Sequence, residues 1–241
     1  MGRALELVAP GPFDRLHRVV AGLLPAGLRV THPGAKLQKL ASALQADDAA
    51  DVYRRLVSQW LRPETLVERG CEVATAVADD TLATDVPAFV PRMMLLDLVT
   101  YLPDDILVKV DRASMAVSLE ARAPLLDHRL VEWAWRLPLS MKIRQGQGKW
   151  LLRQLLYRHV PAALVERPKS GFAVPVGEWL RGPLRDWAET LLDERRLRRE
   201  GYLRPGPIRA TWRAHLTGRR NEEARLWAVL MFQAWRERWS A

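Results

Sequence analysis

The sequence has little cysteine and no long apolar run. Cys71 is the single cysteine in 241 residues, which excludes a disulfide within the chain and favours a reducing compartment. The 5 histidines are scattered without ligand spacing, so we predict no metal site. No apolar run reaches the ~20 residues that span a membrane, and the N-terminus lacks the apolar core of a signal peptide. We therefore expect a soluble, cytoplasmic protein.

The chain also lacks the short motifs of two common enzyme classes. Gly148-Lys149 would belong to a Walker loop only with Gly at position 143 and Ser or Thr at position 150, but these positions hold Ile143 and Trp150. No G-x-S-x-G turn supports a Ser/His/Asp triad, although the sequence alone leaves such a triad open. Neither phosphate binding nor acyl transfer is indicated by a local motif.

Basic residues are in excess. The chain has 37 Lys and Arg against 28 Asp and Glu, a net charge of +9, which favours an anionic partner such as nucleic acid or a nucleotide. The basic residues are mixed with acidic ones, however: the arginine-rich run 195–199 lies between Glu194 and Glu200. Such mixing is typical of a solvated helix face, so nucleic-acid binding is the less favoured interpretation.

Periodic apolar positions predict a mainly α-helical protein, with no convincing alternating strand and no internal repeat. Asp127 is a good N-cap for one helix. Pro103 suits the first position of another, where its missing N–H costs nothing. The predicted helices cover residues 13–24, 51–61, 91–101, 103–117, 128–137, 149–159, 184–192 and 222–239.

The last predicted helix carries a stripe of large side chains. Trp227, Met231, Trp235 and Trp239 follow one another at i+4 spacing, with Leu226 and Leu230 beside them. We interpret this stripe as core, because a helix needs such a face to pack against its neighbours.

Three groups of charged residues are candidates for chemistry. Asp104 and Asp105 follow Pro103, where they would either cap a helix or act in a reaction. Glu120 and Arg122 are two positions apart and would point the same way in an extended segment, each into a buried ion pair that fixes a turn. Lys169 lies in a loop between Pro168 and Gly171, where an ammonium group suits a phosphate or a developing negative charge.

Several segments together resemble one family. They are YLPDDILVKVDRASMAVSLEARAPLLD at 101–127, GKWLLR at 148–153, LVERPKSGFAVPVGEW at 164–179 and RLWAVLMFQAW at 225–235. Residues 90–240 are similar to the C-terminal part of the synthetase domain of glutamine-dependent asparagine synthetases and their β-lactam-forming relatives. The first ninety residues resemble the variable helical insert of that family. The resemblance implies that the chain is divided into two segments, residues 1–90 and residues 91–241. It also implies that the fold is the helical part of an α/β adenine-nucleotide-hydrolase-like domain.

The resemblance also implies a reaction. In that family ATP, with Mg, activates a carboxylate substrate such as aspartate to an acyl-adenylate, and ammonia from glutamine then attacks it. By this resemblance Lys169 stabilises the negative charge that develops in this reaction. An acidic group of the lactam-forming relatives falls near Asp104 or Asp105. Glu120 and Arg122 match family positions that bind substrate or hold the architecture.

Parts of the family pattern are missing from the sequence. It has no S-G-G-x-D-S loop for ATP, no S-G-x-G-x-D-E loop and no N-terminal cysteine nucleophile. We therefore expect a fragment or one half of the enzyme, inactive alone, with an open apolar face and a separate chain carrying the glutaminase and ATP-loop halves. The alternatives from other classes are a helical scaffold module and a basic nucleic-acid-binding protein.

Overall fold

A computed structural model of the chain describes residues 40–79, 81, 85–166 and 174–239. By its contacts the chain divides into two compact units, residues 1–79 with 174–241 and residues 80–173. We call them the first and the second unit. The predicted segments 1–90 and 91–241 were defined by sequence resemblance and not by packing, so this division stays a prediction. The predicted helix at 13–24 lies outside the described residues.

The first unit joins an early segment of the chain to its C-terminal helices. Leu66 and Leu203 are buried in it, and an isolated antiparallel bridge pairs Val67 with Leu203. The chain on either side of that bridge is held by Glu68 N–H donating to Tyr202 O at 2.8 Å. The α-helices of this unit are α1 (Ala49–Val57), α8 (Val176–Arg181), α9 (Arg185–Leu191), α10 (Glu194–Glu200), α11 (Pro205–Leu216) and α12 (Glu223–Trp239).

The core of the first unit is built from side chains that its short helices bring together. Trp212 of α11 is fully buried at its centre. Burying one such large side chain contributes about 2–3 kcal/mol, so a dozen buried residues hold these short helices in place. The other fully buried apolar residues include Leu180, Leu191, Leu192, Leu197, Ile208, Leu226 and Leu230.

The predicted core stripe of the last helix is confirmed for Leu226 and Leu230 and wrong for Met231, Trp235 and Trp239. The buried positions of α12 are Leu226, Val229, Leu230 and Gln233, whereas Trp235 and Trp239 are more than half exposed. The i, i+3, i+4 and i+7 positions that are buried form the narrower face that fits between the neighbouring helices. The indoles lie at the margin of that face, where Trp187 of α9 and Trp227 form a tilted pair with centroids 6.3 Å apart.

The second unit is helical with one small hairpin. Asp127 caps α4 by accepting from Arg129 N–H at 2.9 Å, which confirms the predicted N-cap. The hairpin turns at Gln145 and Gly146, both with positive φ, and the sequence analysis did not anticipate it. The elements are α2 (Phe89–Leu96), a π-helical segment (Asp97–Leu107), α3 (Val108–Met115), α4 (His128–Arg136), α5 (Leu139–Lys142), β1 (Ile143–Arg144), β2 (Gln147–Gly148), α6 (Trp150–Leu156) and α7 (Ala162–Val165).

The predicted helix start at Pro103 is also wrong. The helix runs from Phe89 to Met115 without interruption, and Pro103 lies inside its π-helical segment. Proline in a regular α-helix removes an i→i−4 hydrogen bond and clashes with the carbonyl four residues earlier. The wider π turn relieves that crowding, so the helix continues through Pro103.

Apolar side chains in the second unit are largely exposed. Of residues 85–166, Leu96 is the only buried one, at 3% exposure. Large exposed apolar residues include Val99, Ile106, Val110, Met115, Leu125, Trp133, Leu152 and Leu155. Among the described residues, no helix is both long enough and apolar enough to cross a membrane.

Candidate functional site

Lys169, the predicted charge-stabilising residue, lies in segment 167–173, outside the described residues. The structure does describe the residues at both ends of that segment, Glu166 in the second unit and Val174 in the first. Polar contacts gather at each end.

At Glu166, one carboxylate receives several donors. The Tyr157 hydroxyl and the Arg153 guanidinium both donate to Glu166 Oε1, and Gln147 Nε2 lies 3.4 Å from the same oxygen. Arg153 also donates through Nε to Gly148 O at 3.2 Å. The Tyr157 hydrogen bond and the charge of Arg153 hold the pKa of Glu166 below its usual range against the opposing effect of burial. Glu166 therefore stays ionised at neutral pH.

Beyond Val174, the chain is fastened through Gly177 of α8. The Gly177 N–H donates to Glu223 Oε2 at 2.8 Å, and its carbonyl oxygen lies 3.0 Å from Nε2 of His215. A Cβ at Gly177 would collide with Glu223 Oε2 and lie 3.0 Å from Asn221 Oδ1. The Glu223 carboxylate can therefore approach this closely only because residue 177 is a glycine, and a Cβ would displace that side chain.

His215 of α11 is fully buried and its ring is hydrogen-bonded on both sides. Nδ1 accepts from Glu222 N–H at 3.2 Å, so Nε2 carries the proton and donates to Gly177 O. Burial, followed by the charge of Arg181, lowers the pKa of His215 from 6.5 to about 4. The imidazole is therefore neutral at physiological pH, and it acts as a structural tie between α8 and α11.

Asp104 and Asp105 lie in the π-helical segment and not at a helix N-terminus. Asp104 is exposed, and Asp105 forms an ion pair with Lys109 one turn later. The hydrogen bond that the Lys109 ammonium donates to Asp105 raises the pKa of Lys109. Capping and dipole compensation, one of the two interpretations of this pair, therefore does not apply.

Glu120 and Arg122 pair with each other rather than with buried partners. Arg122 Nη2 donates to Glu120 Oε2 at 2.9 Å, and the two side chains are 67% and 82% exposed for Glu120 and Arg122. The expected buried ion pairs are therefore wrong, because this segment lies on the surface of the second unit. Within the described ranges, no hydrogen bond or ion pair joins Glu120 or Arg122 to Asp104 or Asp105.

A groove of about 270 Å³ in the second unit is a feature that the sequence analysis missed. Lys142 lies on its wall, donating to Trp135 O at 3.1 Å with its ammonium 5.3 Å from the Trp135 ring centre. Of the predicted site residues that the structure describes, Asp104, Asp105, Glu120 and Arg122, none lines this groove. Within the part of the chain that the structure describes, no group of three or more His, Cys, Asp or Glu is arranged to hold a metal ion.

The contacts at Glu166 and His215 were missed as well. A weak signal existed for the first: Arg153 and Tyr157 are four positions apart, so they lie on one face of a helical turn, and Glu166 immediately precedes the Lys169 segment. No comparable signal marks His215, since its partners come from residues 177 and 222.

The arginine-rich run also has a structural explanation. It forms α10, where Arg196 pairs with Glu200 at 2.9 Å and Arg198 pairs with Glu194. Glu200 also accepts from Gln233 of α12 at 2.6 Å. The Arg198–Glu194 pair is exposed, whereas the side chains of Arg196 and Glu200 are only 16% and 13% exposed, so this run is only in part a solvated helix face. The preference against nucleic-acid binding stays a prediction.

Comparison with known proteins shows the family. The family model described as asparagine synthase matches residues 8–237. The chain is 41% identical over 233 residues to a putative glutamine-hydrolyzing asparagine synthetase of Mycobacterium tuberculosis (strain ATCC 25618 / H37Rv), covering 94% of this chain and 34% of the relative. It is 30% identical over 228 residues to the glutamine-hydrolyzing asparagine synthetase 1 of Bacillus subtilis (strain 168), covering 94% of this chain and 35% of that relative.

The chain thus spans about a third of the length of the curated relatives that it matches. No solved structure matches it significantly. Because the family model covers nearly all of the sequence, the chain belongs to the asparagine synthase family.

Proposed function

We propose that this chain is the helical C-terminal region of an asparagine-synthetase-type enzyme. The reaction is ATP-dependent amide formation from aspartate or a related carboxylate through an acyl-adenylate, with glutamine as nitrogen donor. In this proposal the chain works with synthetase residues outside it, on the same polypeptide or on a separate one. It contributes Lys169, whose ammonium stabilises negative charge on the activated carboxylate.

One observation carries the proposal: the asparagine synthase family model matches residues 8–237. The motif around Lys169, which reads Arg167-Pro168-Lys169-Ser170-Gly171-Phe172, lies inside that match. A lysine between a proline and a glycine is a compact point charge suited to a developing oxyanion.

The exposed second unit supports the need for further synthetase residues. A stable unit normally buries its large apolar side chains, yet Met115, Trp133 and Leu155 are all more than half exposed and Leu96 alone is buried in 85–166. An α/β nucleotide-binding layer packed on this surface would cover them. The fold class proposed for the assembled domain is accordingly that of the adenine-nucleotide-hydrolase-like synthetases.

The described residues show no site for ATP or Mg. They contain no acidic cluster able to hold a metal ion, and the sequence has no glycine-rich phosphate loop. We therefore assign the binding of ATP and Mg to synthetase residues outside this chain, and only the stabilisation of charge on the activated carboxylate to Lys169.

The experiment is a chimera. This chain replaces the matching third of the Mycobacterium tuberculosis relative, and asparagine formation from aspartate, glutamine and ATP is measured. The proposal predicts asparagine and AMP in equal amounts, since an acyl-adenylate releases AMP when it is amidated. A folded chimera that makes neither product, beside an active parent relative, would refute the proposal.

A further inference from the structure

The side of α12 that does not face the core carries a row of exposed apolar residues. Met231, Trp235 and Trp239 are 37%, 55% and 67% exposed, and the exposed Ala224 and Ala228 continue the row toward the start of the helix. A surface helix normally turns polar residues to solvent. These five residues, which we call the outer row, instead begin with the alternating steps of four and three positions that are typical of a coiled-coil seam. The helix α12 therefore has a second apolar side in addition to its buried face.

The large side chains of the outer row are held in place by their neighbours. Trp235 stacks on Phe232 with ring centres 6.4 Å apart, and the Phe232 and Tyr202 rings meet edge to face at 6.3 Å. At the end of the row, the Arg238 guanidinium lies 5.2 Å from the centre of the Trp239 ring. Side chains that are ordered before binding lose less conformational entropy when a partner covers them. The outer row is thus a preformed surface, and tryptophan is a residue type that often anchors interfaces.

Side-chain size changes along the outer row in a way that makes the row complementary to itself. Small Ala224 and Ala228 occupy its first half, Trp235 and Trp239 its second half, and Met231 its centre. If two copies of α12 pack antiparallel about Met231, Trp239 faces Ala224 of the second copy and Trp235 faces its Ala228. Each indole then enters the gap above an alanine, as a knob enters a hole. A parallel pair would set indole against indole and keep the alanines apart, so the row fits the antiparallel, two-fold arrangement.

The charges at the two ends of α12 favour the same orientation. Glu223 lies in the first turn and Arg238 in the last turn. An antiparallel pair brings each Arg238 to the end of the helix where Glu223 of the second copy lies. It also sets the positive end of one helix dipole beside the negative end of the other. A parallel pair would place like charges together.

The exposed area of the outer row is sufficient for a weak dimer. A tryptophan presents up to about 250 Å², so Met231, Trp235 and Trp239 together expose roughly 400 Å² in one copy. With the two alanines and Arg238, two copies would bury about 1,000 Å² in total, which is the lower bound for a specific interface. This area predicts a dimer that dissociates at low protein concentration.

We propose that the outer row of α12 is a homodimer interface, in which α12 packs antiparallel against α12 of a second copy and Trp235 is the anchor. A second copy is the partner that this surface fits, because side-chain size and charge along α12 both match their own two-fold image. The interface lies wholly on the first unit and involves neither Lys169 nor ATP, so it is independent of the proposed function.

Sedimentation equilibrium of the purified chain tests the dimer. We expect a monomer–dimer equilibrium at concentrations up to about 100 μM, because an interface of this size is weak. Trp235→Lys should raise the Kd about 10-fold or more, since it removes the anchor. Ala228→Trp should weaken the dimer as well, because it makes the row more apolar but fills the gap that the indole needs.

The matched control is Trp133→Lys, which places the same charge on a similarly exposed indole of the second unit and should leave the Kd unchanged. Circular dichroism shows whether each variant is folded, and Ala228→Lys replaces Trp235→Lys if that variant is not. A monomer at every concentration, a dimer that survives the α12 substitutions, or a dimer that Trp133→Lys dissociates would each overturn the proposal.

Cysteine cross-linking tests the antiparallel orientation. The background is Cys71→Ser, because Cys71 is exposed. Met231→Cys lies near the two-fold axis and should form a disulfide with its copy on mild oxidation. Ala224→Cys should not, because the two cysteines would be about 20 Å apart along the antiparallel helices. Disulfides at both positions would indicate a parallel pair, and any pattern without a disulfide at position 231 would indicate a different interface; either result would overturn the proposal.

Discussion

Lys169 is the residue whose removal should affect the chemistry most directly. In the chimeric synthetase, Lys169→Ala should lower kcat by about 100-fold or more, since losing one transition-state charge contact typically has an effect of this size. Lys169→Arg should restore little, because the broad guanidinium does not replace a compact ammonium between Pro168 and Gly171. Steady-state kinetics check this, with Lys142→Ala as the control variant. Equal kcat values for Lys169→Ala and the parent would show that Lys169 does not stabilise charge in the reaction.

His215 should give the first unit a distinct dependence on pH. Its pKa falls from 6.5 to about 4 on folding, so between these values the unfolded chain binds a proton that the folded chain does not. The free energy of unfolding therefore decreases as the pH falls through this window, by about 2 kcal/mol between pH 7 and pH 5.

Urea unfolding followed by tryptophan fluorescence at pH 7, 6 and 5 measures this slope. His215→Gln should flatten the slope between pH 7 and 5, whereas His128→Gln, at an exposed position, should keep it. Glu189 and Glu200 have pKa values below the usual range, so they stay ionised between pH 7 and pH 5. Their contribution to the free energy of unfolding is lost only at lower pH and does not affect the slope in this range. A parent slope that survives in His215→Gln would contradict the assignment.

At the residue scale, the sequence could predict a functional residue only where neighbouring residues in the chain carry the signal. Lys169 was reached through a contiguous motif and a family resemblance. His215 was not, because its environment is made by Gly177 and Glu222, which are distant in sequence or separated from it by a turn. Burial of a single histidine leaves no periodic trace in the sequence.

At the scale of elements, the junction between α8 and α12 depends on a glycine. Gly177→Ala should displace the Glu223 carboxylate and break its hydrogen bond from the Gly177 N–H, lowering the free energy of unfolding by about 1–2 kcal/mol. Gly206→Ala is the matched control, because a Cβ there meets nothing within 4 Å and alanine favours the helix. Urea unfolding of both variants checks this; equal stabilities would show that Glu223 relocates without loss.

The π-helical segment allows a second test at this scale. Asp104→Asn and Asp105→Asn should each change the melting temperature little, because neither carboxylate caps a helix and the Asp105–Lys109 pair is exposed. A loss of kcat in the chimeric synthetase at unchanged melting temperature would assign chemistry to the pair. Thermal scans by circular dichroism measure the first quantity, and a large drop in melting temperature would contradict the structural description.

Element boundaries followed from the sequence where a local signal dominated. Asp127 supplied the cap of α4, and the last predicted helix, 222–239, differs from α12 by one residue. The sequence failed at Pro103, where a helix-start rule competed with a proline accommodated inside a π turn. It also failed for Trp235 and Trp239 of α12, although Leu226 and Leu230 are buried as predicted, because the neighbouring helices determine which stripe is covered.

At the scale of the whole molecule, the sequence predicted the mainly helical class and the open apolar surface. It did not predict the first unit, in which residues 40–79 join residues 174–239. That association rests on contacts such as the Val67–Leu203 bridge, between positions far apart in the chain. Large apolar side chains of the second unit are exposed, as expected from the resemblance, and their coverage by an α/β layer is part of the proposed function.

We infer that this chain acts only together with the nucleotide-binding part of a synthetase. Aspartate-dependent exchange of labelled pyrophosphate into ATP tests it most directly, because the exchange reports acyl-adenylate formation without needing ammonia. We expect no exchange above a denatured control for the chain alone, and clear exchange for the chain combined with the unmatched part of the Mycobacterium tuberculosis relative. Exchange by the chain alone, or none by a folded combination, would contradict it.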